Sequence, residues 1–288
     1  MKRKIAVVII NDMNYEDTIE CVKCALSQTY SDYHIVIVEN GSSNKSYEVL
    51  NFIYGSSPKV TIIRSKRNLG YAGENNLGIR FAREILNADY VFVCNNDILF
   101  GDDLLQTIAK VDFCGIGVIS PTVYRKDGKL QRPAIATDNI YIKALSTVTG
   151  IALTWILTVP PVHTLHEELN RFWKIKNGKD VPYEIKKHML QSCSFFLTPE
   201  FFHYYNQLYP KTSLYWEEIN LLMYLEKVKL TAMIADTSPV IHKDKGASLC
   251  LPGSQALDMN RLIYSTASMM KSLPMFFMNY SIIRKKYN

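Results

Sequence analysis

No G-x-G-x-x-G run and no Walker-type loop occurs in the 288 residues, so dehydrogenase and kinase chemistry lose their phosphate cradles. Glycine (13) and proline (11) are too scarce for a collagen-like or low-complexity chain. The six cysteines sit in apolar contexts without the spacing of a disulfide framework, which suits a reducing cytosol. Cys21-Val22-Lys23-Cys24 has C-x-x-C spacing, but it falls in the middle of a helical pattern with no second pair for zinc, and it reads as core packing. His163-Thr164-Leu165-His166-Glu167 lacks the H-E-x-x-H order of a zinc protease. No basic stripe with interleaved aromatics dominates, and a net charge of +6 is modest, so no nucleic-acid partner is expected. The basic Met1–Lys4 is followed by an apolar run too short for a secretory signal, and the expected location is cytoplasmic. Ala144–Val162 carries no charge but is interrupted by Pro160-Pro161; it reads as a buried or membrane-dipping helix rather than a span.

What is present is ordinary globular composition: 48% hydrophobic and 21% charged residues, enough chain for one large domain or two small ones. The first half alternates strand and helix patterns. Ile5–Ile10, Ile35–Val38, Val60–Ile63 and Tyr90–Cys94 are short β-branched or apolar runs of the buried parallel type. Between them, Tyr15–Gln28, Ser46–Tyr54 and a segment ending near Leu86 read as helices. This order predicts an α/β fold with a mostly parallel central sheet flanked by helices. In the second half, Ser192–Leu197, Leu230–Ala235 and Val240–Ile241 read as strands, and helices start at Pro199 and near Tyr215. A helical insertion is expected over 138–180. From about Gln255 a long helix leads into a tail in which Arg261–Asn288 holds five basic residues and no acid. The tail fits either a core helix with a frayed end or an amphipathic membrane-surface anchor. The predicted division is 1–135, 136–250 and 251–288, with the first two parts sharing one core.

Ligands of such sheets bind beyond the carboxyl ends of the strands. Three polar loops follow three predicted strand ends: Glu39–Asn44, Asn68–Glu74 and Asn95–Asp97. One polar loop is ordinary turn chemistry; three converging loops rich in Asn and acids point to a binding crevice.

These residues resemble a known family. Ile5–Asn11 is similar to the first strand of the family 2 glycosyltransferases, inverting enzymes of the GT-A fold. Val38-Glu39-Asn40-Gly41-Ser42-Ser43-Asn44 resembles their V-D-N-G-S-x-D loop, and Asn68-Leu69-Gly70-Tyr71-Ala72-Gly73-Glu74-Asn75-Asn76 their N-x-G-(F/Y)-A-x-x-x-N loop. Asn95-Asn96-Asp97 stands where the family places D-x-D or N-N-D. Tyr215-Trp216-Glu217-Glu218, followed by His242, resembles the E-D … H acceptor block. The variant looks most like bacterial enzymes of capsule, O-antigen and related surface-polysaccharide assembly, some of them rhamnosyltransferase-like. The resemblance implies a nucleotide-half and acceptor-half architecture with a C-terminal helical tail.

It also implies roles. Asn11, Glu39, Asn40, Ser42, Asn68, Gly70, Asn75, Asn95 and Asn96 would form the nucleotide-diphosphate-sugar set, with Glu39 on the base or ribose. Asp97, His242 and Asn95 would hold a divalent metal, manganese or magnesium, against the leaving diphosphate. Lys66, Arg67 and Lys243 would add positive charge. Glu218 would be the general base and Glu217 its support; opening a helix, both acids are expected to stay ionised. The expected partners are the donor and a glycan acceptor, lipid-linked, with membrane-surface contact through the tail at the inner face of the plasma membrane and a homo-oligomer among the options. A sugar nucleotidyltransferase would carry a Gly-rich basic loop after the first strand; Asn11-Asp12-Met13-Asn14 has no glycine. A catalytically silent, donor-binding or scaffolding relative is the remaining alternative.

Overall fold

The computed structural model describes residues 3–157, 184–243 and 259–287. The first half runs β1 (Ile5–Asn11), α1 (Tyr15–Leu26), β2 (Tyr33–Glu39), α2 (Ser46–Tyr54), β3 (Val60–Arg64), α3 (Gly70–Glu84), β4 (Tyr90–Asn95), β5 (Ile98–Phe100), α4 (Leu104–Ala109) and β6 (Ile116–Arg125). It continues with β7 (Ile135–Thr137), α5 (Ile140–Leu157), β8 (His188–Leu190), β9 (Ser194–Leu197), α6 (Pro199–Tyr204), α7 (Glu217–Lys227) and β10 (Thr231–His242). Three C-terminal helices follow: α8 (Met259–Ser272), α9 (Pro274–Phe277) and α10 (Tyr280–Tyr287).

All the described strands belong to one ten-stranded sheet of order β3-β2-β1-β4-β9-β6-β10-β8-β7, with β5 added on β10. β1, β2, β3 and β4 pair in parallel, as their unbroken apolar sequences require: every residue of β1 is buried. β9 inserts antiparallel between β4 and β6, so the late half of the chain completes the sheet begun by the early half. The predicted boundary at 135 therefore falls at the first residue of β7, within a shared sheet.

Each face of the sheet carries one core. Ile5, Ile9, Ile35 and Phe92 point to the side covered by α1, α2 and α4. Val8, Val36, Val91 and Phe195 point to the side covered by α3, α5, α7 and the C-terminal helices. The close approach of α3 to the sheet depends on Gly78, where a Cβ would lie 2.3 Å from Val8 Cγ1. Local capping follows the sequence: Asn14 Oδ1 accepts from the Asp17 amide to start α1, and Thr198 Oγ1 accepts from the Phe201 amide ahead of Pro199 to start α6.

Two sequence expectations change here. Leu230–Ala235 and Val240–Ile241 form one strand, β10, whose register on β6 slips between Ala235 and Val240; the intervening Pro239 has no N–H to offer a regular ladder. The tail is not frayed: Leu262, Met275, Ile283 and Tyr287 are buried in the core, and the Tyr280 and Tyr287 rings pack edge-on against Tyr205 and Tyr209. Residues 158–180 of the predicted insertion lie outside the described residues. Its first part, α5, lies on the surface with one face exposed rather than buried.

Candidate active site

The carboxyl ends of β1, β2 and β4 open on one side of the sheet, and the loops that leave them meet there. Gly41, at φ 69°, lets the β2 loop pass the backbone of Arg67, where a Cβ would come within 2.8 Å. Asn40 ties these loops to α3: its Oδ1 accepts from the Leu69 amide at 2.9 Å and its Nδ2 donates to Glu74 Oε1. Asn11 and Ser42 brace the β1 loop; Asn11 Nδ2 donates to Ser42 Oγ at 3.4 Å, and Asn11 Oδ1 accepts from Thr18 Oγ1 at 2.7 Å. Asn96 Nδ2 donates to the Asn14 carbonyl and to Thr18 Oγ1. Asn11, Asn40 and Ser42, expected from sequence on the donor, are buried here and Asn96 is half-buried; the polar groups named are engaged by neighbouring protein and shape the loops of the cup.

Glu39 is fully buried. The extra methylene lets its carboxylate curl back on its own loop, where Oε1 accepts from the Ser42 amide at 2.8 Å. Oε2 has no hydrogen bond and faces Arg64 Nε at 3.6 Å. Three acids crowd this end of the crevice. Burial, with Asp12 and Glu39 nearby, pushes the Glu74 carboxyl up to about 8, and burial also raises Asp12, against a hydrogen bond from Asn68. Asn68 is exposed, donates to Asp12 and accepts from the Gly70 amide. Gly70, at φ 71°, abuts the Ser213 carbonyl, where a Cβ would lie 2.6 Å away. Asn75 donates to the Tyr71 carbonyl, and its buried Oδ1 has no hydrogen bond.

β5 is what brings Asp97 and His242 together. It pairs antiparallel with β10, so His242 faces Ile98, and the Lys243 amide donates to the Asp97 carbonyl at 3.0 Å. His242 Nε2 then lies 3.3 Å from Asp97 Oδ2, while His242 Nδ1 lies 3.0 Å from Gln131 Oε1. With the Gln131 amide assigned this way round, Nδ1 donates to Gln131; Nε2 donates to the carboxylate when the ring is protonated and offers a lone pair when it is neutral. Among the described residues no group of three or more His, Cys, Asp or Glu side chains forms a ready metal cage; Asp97 and His242 are a pair. Asn95 is half-buried beside them, and its amide donates to the Cys193 carbonyl at 2.9 Å. Lys243 does not serve the crevice. Its ammonium is held by Asp17 at 2.6 Å and by Glu20, both on α1. Lys66 and Arg67 remain exposed on the loop before Asn68.

The opposite wall is the start of α7. Tyr215 and Trp216, at φ 69° and 72°, occupy the left-handed region just ahead of Glu217-Glu218, and no side chain caps the helix. Such backbone is costly for bulky residues and holds the two acids in a fixed turn. The expectation that the helix dipole keeps both acids ionised does not hold for Glu217. Burial and the neighbouring Glu218 push it up to about 8, against the pull of its own amide and the Thr212 hydroxyl. Burial also raises Glu218, against hydrogen bonds from its own amide and from the Ser192 side chain.

Ser192 and Cys193 join the walls. The Tyr71 hydroxyl donates to the Ser192 carbonyl at 2.7 Å, the Ser192 side chain reaches Glu218, and the Cys193 carbonyl holds the Asn95 amide. Burial, with Asp97 adding, pushes the Cys193 thiol up to about 12. Glu218 and Asp97 thus neighbour adjacent residues of one segment, Ser192 and Cys193 respectively. The Tyr71 hydroxyl is driven well above its usual range by burial and by Glu218 and Glu217, which places it at the acid pair as well. Tyr71 and Gln131 were not identified from sequence as site residues. Tyr71 lay within a recognised loop and carried a signal; Gln131 had none.

The sequence profile described as Glycosyl transferase family 2 matches residues 5–154. The chain is 35% identical over 89 residues to a chondroitin synthase of Pasteurella multocida, covering 27% of this chain and 9% of the relative. It is 27% identical over 125 residues to the low-salt glycan biosynthesis hexosyltransferase Agl10 of Haloferax volcanii, covering 43% of this chain and 38% of that one. The chain thus spans well under half the length of these relatives. Its fold superposes on the mannosyltransferase PcManGT of Pyrobaculum calidifontis, a complex with GDP-Man and Mn2+, with a TM-score of 0.54 at 10% identity, covering 96% of this chain and 73% of the other. The match over more than half of the chain, on strands and loops that converge as the family's do, makes this protein a member of glycosyl transferase family 2, with the GT-A fold.

Proposed function

We propose that the protein transfers a hexosyl group from a nucleoside-diphosphate sugar to a hydroxyl of a glycan acceptor in surface-polysaccharide assembly, with inversion. One observation carries the reading: a raised carboxyl at the start of α7 and the Asp97–His242 pair neighbour the adjacent residues Ser192 and Cys193, which supports one site between them. In-line displacement needs a base on one side of the anomeric carbon and charge neutralisation on the other, and inversion follows from that opposition.

Glu218 is the base. Its raised affinity for protons makes it a stronger acceptor than a solvated carboxylate, and the Ser192 side chain orients it. Glu217 is protonated at neutral pH and so donates a hydrogen bond to the acceptor without setting a second negative charge beside Glu218. On the donor side, Glu39 Oε2 and Asp12 offer acceptors to the N–H groups of a base or the hydroxyls of a ribose. Asp97 and His242 suit a shared divalent cation: with the ring neutral, Nε2 and Asp97 Oδ2 are two lone-pair atoms 3.3 Å apart that would gain from a positive charge between them. Bound there with the donor's oxygens, manganese or magnesium would neutralise the departing diphosphate. Lys66 and Arg67 lie on the adjoining loop.

The two-residue metal pair also favours a second reading, a donor-binding protein without turnover. A panel of UDP, GDP, dTDP and CMP sugars separates the two. Each is tested for thermal stabilisation with and without manganese, and then for donor hydrolysis by the wild type, Glu218→Gln and Asp97→Ala. Hydrolysis by the wild type that both substitutions abolish supports the transferase; stabilisation with equal inertness in all three supports the silent reading.

A further inference from the structure

We propose that the exposed faces of α5 and α8 form one contact surface that lays the protein on an anionic lipid bilayer. α5 is strongly apolar, with Lys143 its one charge, a composition that ordinarily marks a buried helix, yet it lies at the surface. Ile140, Ala144 and Ile151 face the core. On the other side Ile142, Leu145, Leu153 and Ile156 are 67%, 61%, 56% and 56% exposed. Their spacing places them on one helical stripe about 20 Å long at 1.5 Å per residue. No described helix is long and apolar enough to cross a membrane, so this stripe lies along an interface rather than through one.

α8 continues the surface. It runs antiparallel to α5: Trp155 Nε1 donates to Thr266 Oγ1 at 2.9 Å near one end, and the Tyr141 and Phe276 rings meet 6.2 Å apart near the other. On α8, Ile263, Tyr264 and Met270 are exposed, and Phe277 beyond it is 88% exposed.

Charge chooses the occupant. Residues 140–157 and 259–287 contain no Asp or Glu and six basic residues: Lys143, Arg261, Lys271, Arg284, Lys285 and Lys286. Among the described residues, Asp138 and Glu184 share Lys186, at 3.4 Å and 2.8 Å, and Glu226 pairs with Lys187 at 2.6 Å. Lys143 on α5 and Arg261 and Lys271 on α8, with no acid on either helix, match an anionic headgroup layer, at about 1 kcal/mol per basic residue near the surface. A second copy fits less well, because a two-fold contact sets these basic residues against their own copies. The surface combines part of the predicted tail, α8, with the first part of the uncharged Ala144–Val162 stretch; Ile283 and Tyr287 of α10 are buried in the core. It also reaches the crevice. The Arg261 guanidinium lies 5.6 Å over the Tyr215 ring, two residues ahead of Glu217. A lipid-borne acceptor would therefore meet Glu218 from this side, a consequence that rests on the acceptor reading above; the lipid surface itself does not.

Vesicle flotation tests it, with vesicles of roughly one-third phosphatidylglycerol in phosphatidylcholine against phosphatidylcholine alone. The wild type is expected to float with the anionic vesicles and to be released by salt. Leu145→Glu combined with Leu153→Glu, and separately Lys271→Glu combined with Lys285→Glu, should each weaken binding at least tenfold, by about 1 kcal/mol per reversed charge or more. Donor hydrolysis, measured alongside, reports the state of the crevice independently. Failure of the wild type to float, or wild-type flotation by both double variants, overturns the proposal. So does a gel-filtration dimer that Leu145→Glu with Leu153→Glu converts to monomer, which would assign the face to a second copy.

Discussion

Replacing Glu218 by Gln keeps the shape of the side chain but removes the proton acceptor. General-base catalysis typically contributes 10²–10⁴-fold, so kcat should fall by about that factor, a barrier rise of roughly 2.7–5.4 kcal/mol. Glu217→Gln is the matched comparison. Held at about 8, Glu217 carries its proton in most molecules at pH 7, and Gln imitates that state. Its activity at pH 7 should stay within about threefold of wild type. Above pH 8 the wild type gains a second negative charge beside Glu218, whereas Glu217→Gln cannot, so the alkaline change in the wild-type pH profile should vanish in this variant. The two acids are neighbours and titrate as a pair, so the profiles of both variants must be read together. Donor consumption measured from pH 6 to 9 for all three proteins decides it. A Glu218→Gln enzyme within tenfold of wild type, or a Glu217→Gln enzyme as inactive as Glu218→Gln, refutes the assignment of base and support.

Further expectations follow from the same contacts. Tyr71→Phe removes the 2.7 Å donor to the Ser192 carbonyl; kcat should drop about tenfold with KM for the donor little changed, and unfolding titrations should register a loss of about 1–2 kcal/mol. Gly70→Ala places a Cβ 2.6 Å from the Ser213 carbonyl at φ 71°, and should cost about 1–3 kcal/mol in denaturant unfolding; unchanged stability would contradict the loop geometry. Glu74 in the folded protein binds its proton up to about pH 8, whereas the unfolded chain releases it near 4.5. The native state therefore holds more protons between those values, and stability must fall as pH rises through this window. Glu74→Gln should flatten that fall in thermal melts from pH 5 to 9, and an unaltered slope would contradict the buried position of its charge.

The early half of the fold was legible because its strands are buried on both faces and say so: Ile5–Ile10 and Tyr90–Cys94 are continuous apolar runs, and β1 and β4 differ from them by one residue each. The late half was harder. β6 contains Pro121 and Gly117, poor strand formers, the second required because a Cβ there would lie 2.4 Å from Leu225 Cδ2; packing overrode propensity. β5, β7 and β8 have three residues each, too few to show a period, yet β5 sets Asp97 against His242. In the site, the residue types were readable and their exposure was not. Asn11, Asn40 and Asn96 look like ligand-binding amides in sequence and also brace the loops, because only the fold reveals which amide has a protein partner within reach. Ionisation was misjudged for the same reason: the helix dipole is local, while the burial that outweighs it at Glu217 comes from segments distant in sequence.

The central claim is that Glu218 and the diphosphate-binding pair stand on opposite sides of one reacting carbon. Time-resolved proton NMR of donor hydrolysis, read before the free sugar equilibrates its anomers, tests this directly. An α-linked donor should release the β anomer first, at a rate that Glu218→Gln lowers by about two orders of magnitude or more. First release of the α anomer, or an equal rate in Glu218→Gln, would contradict it.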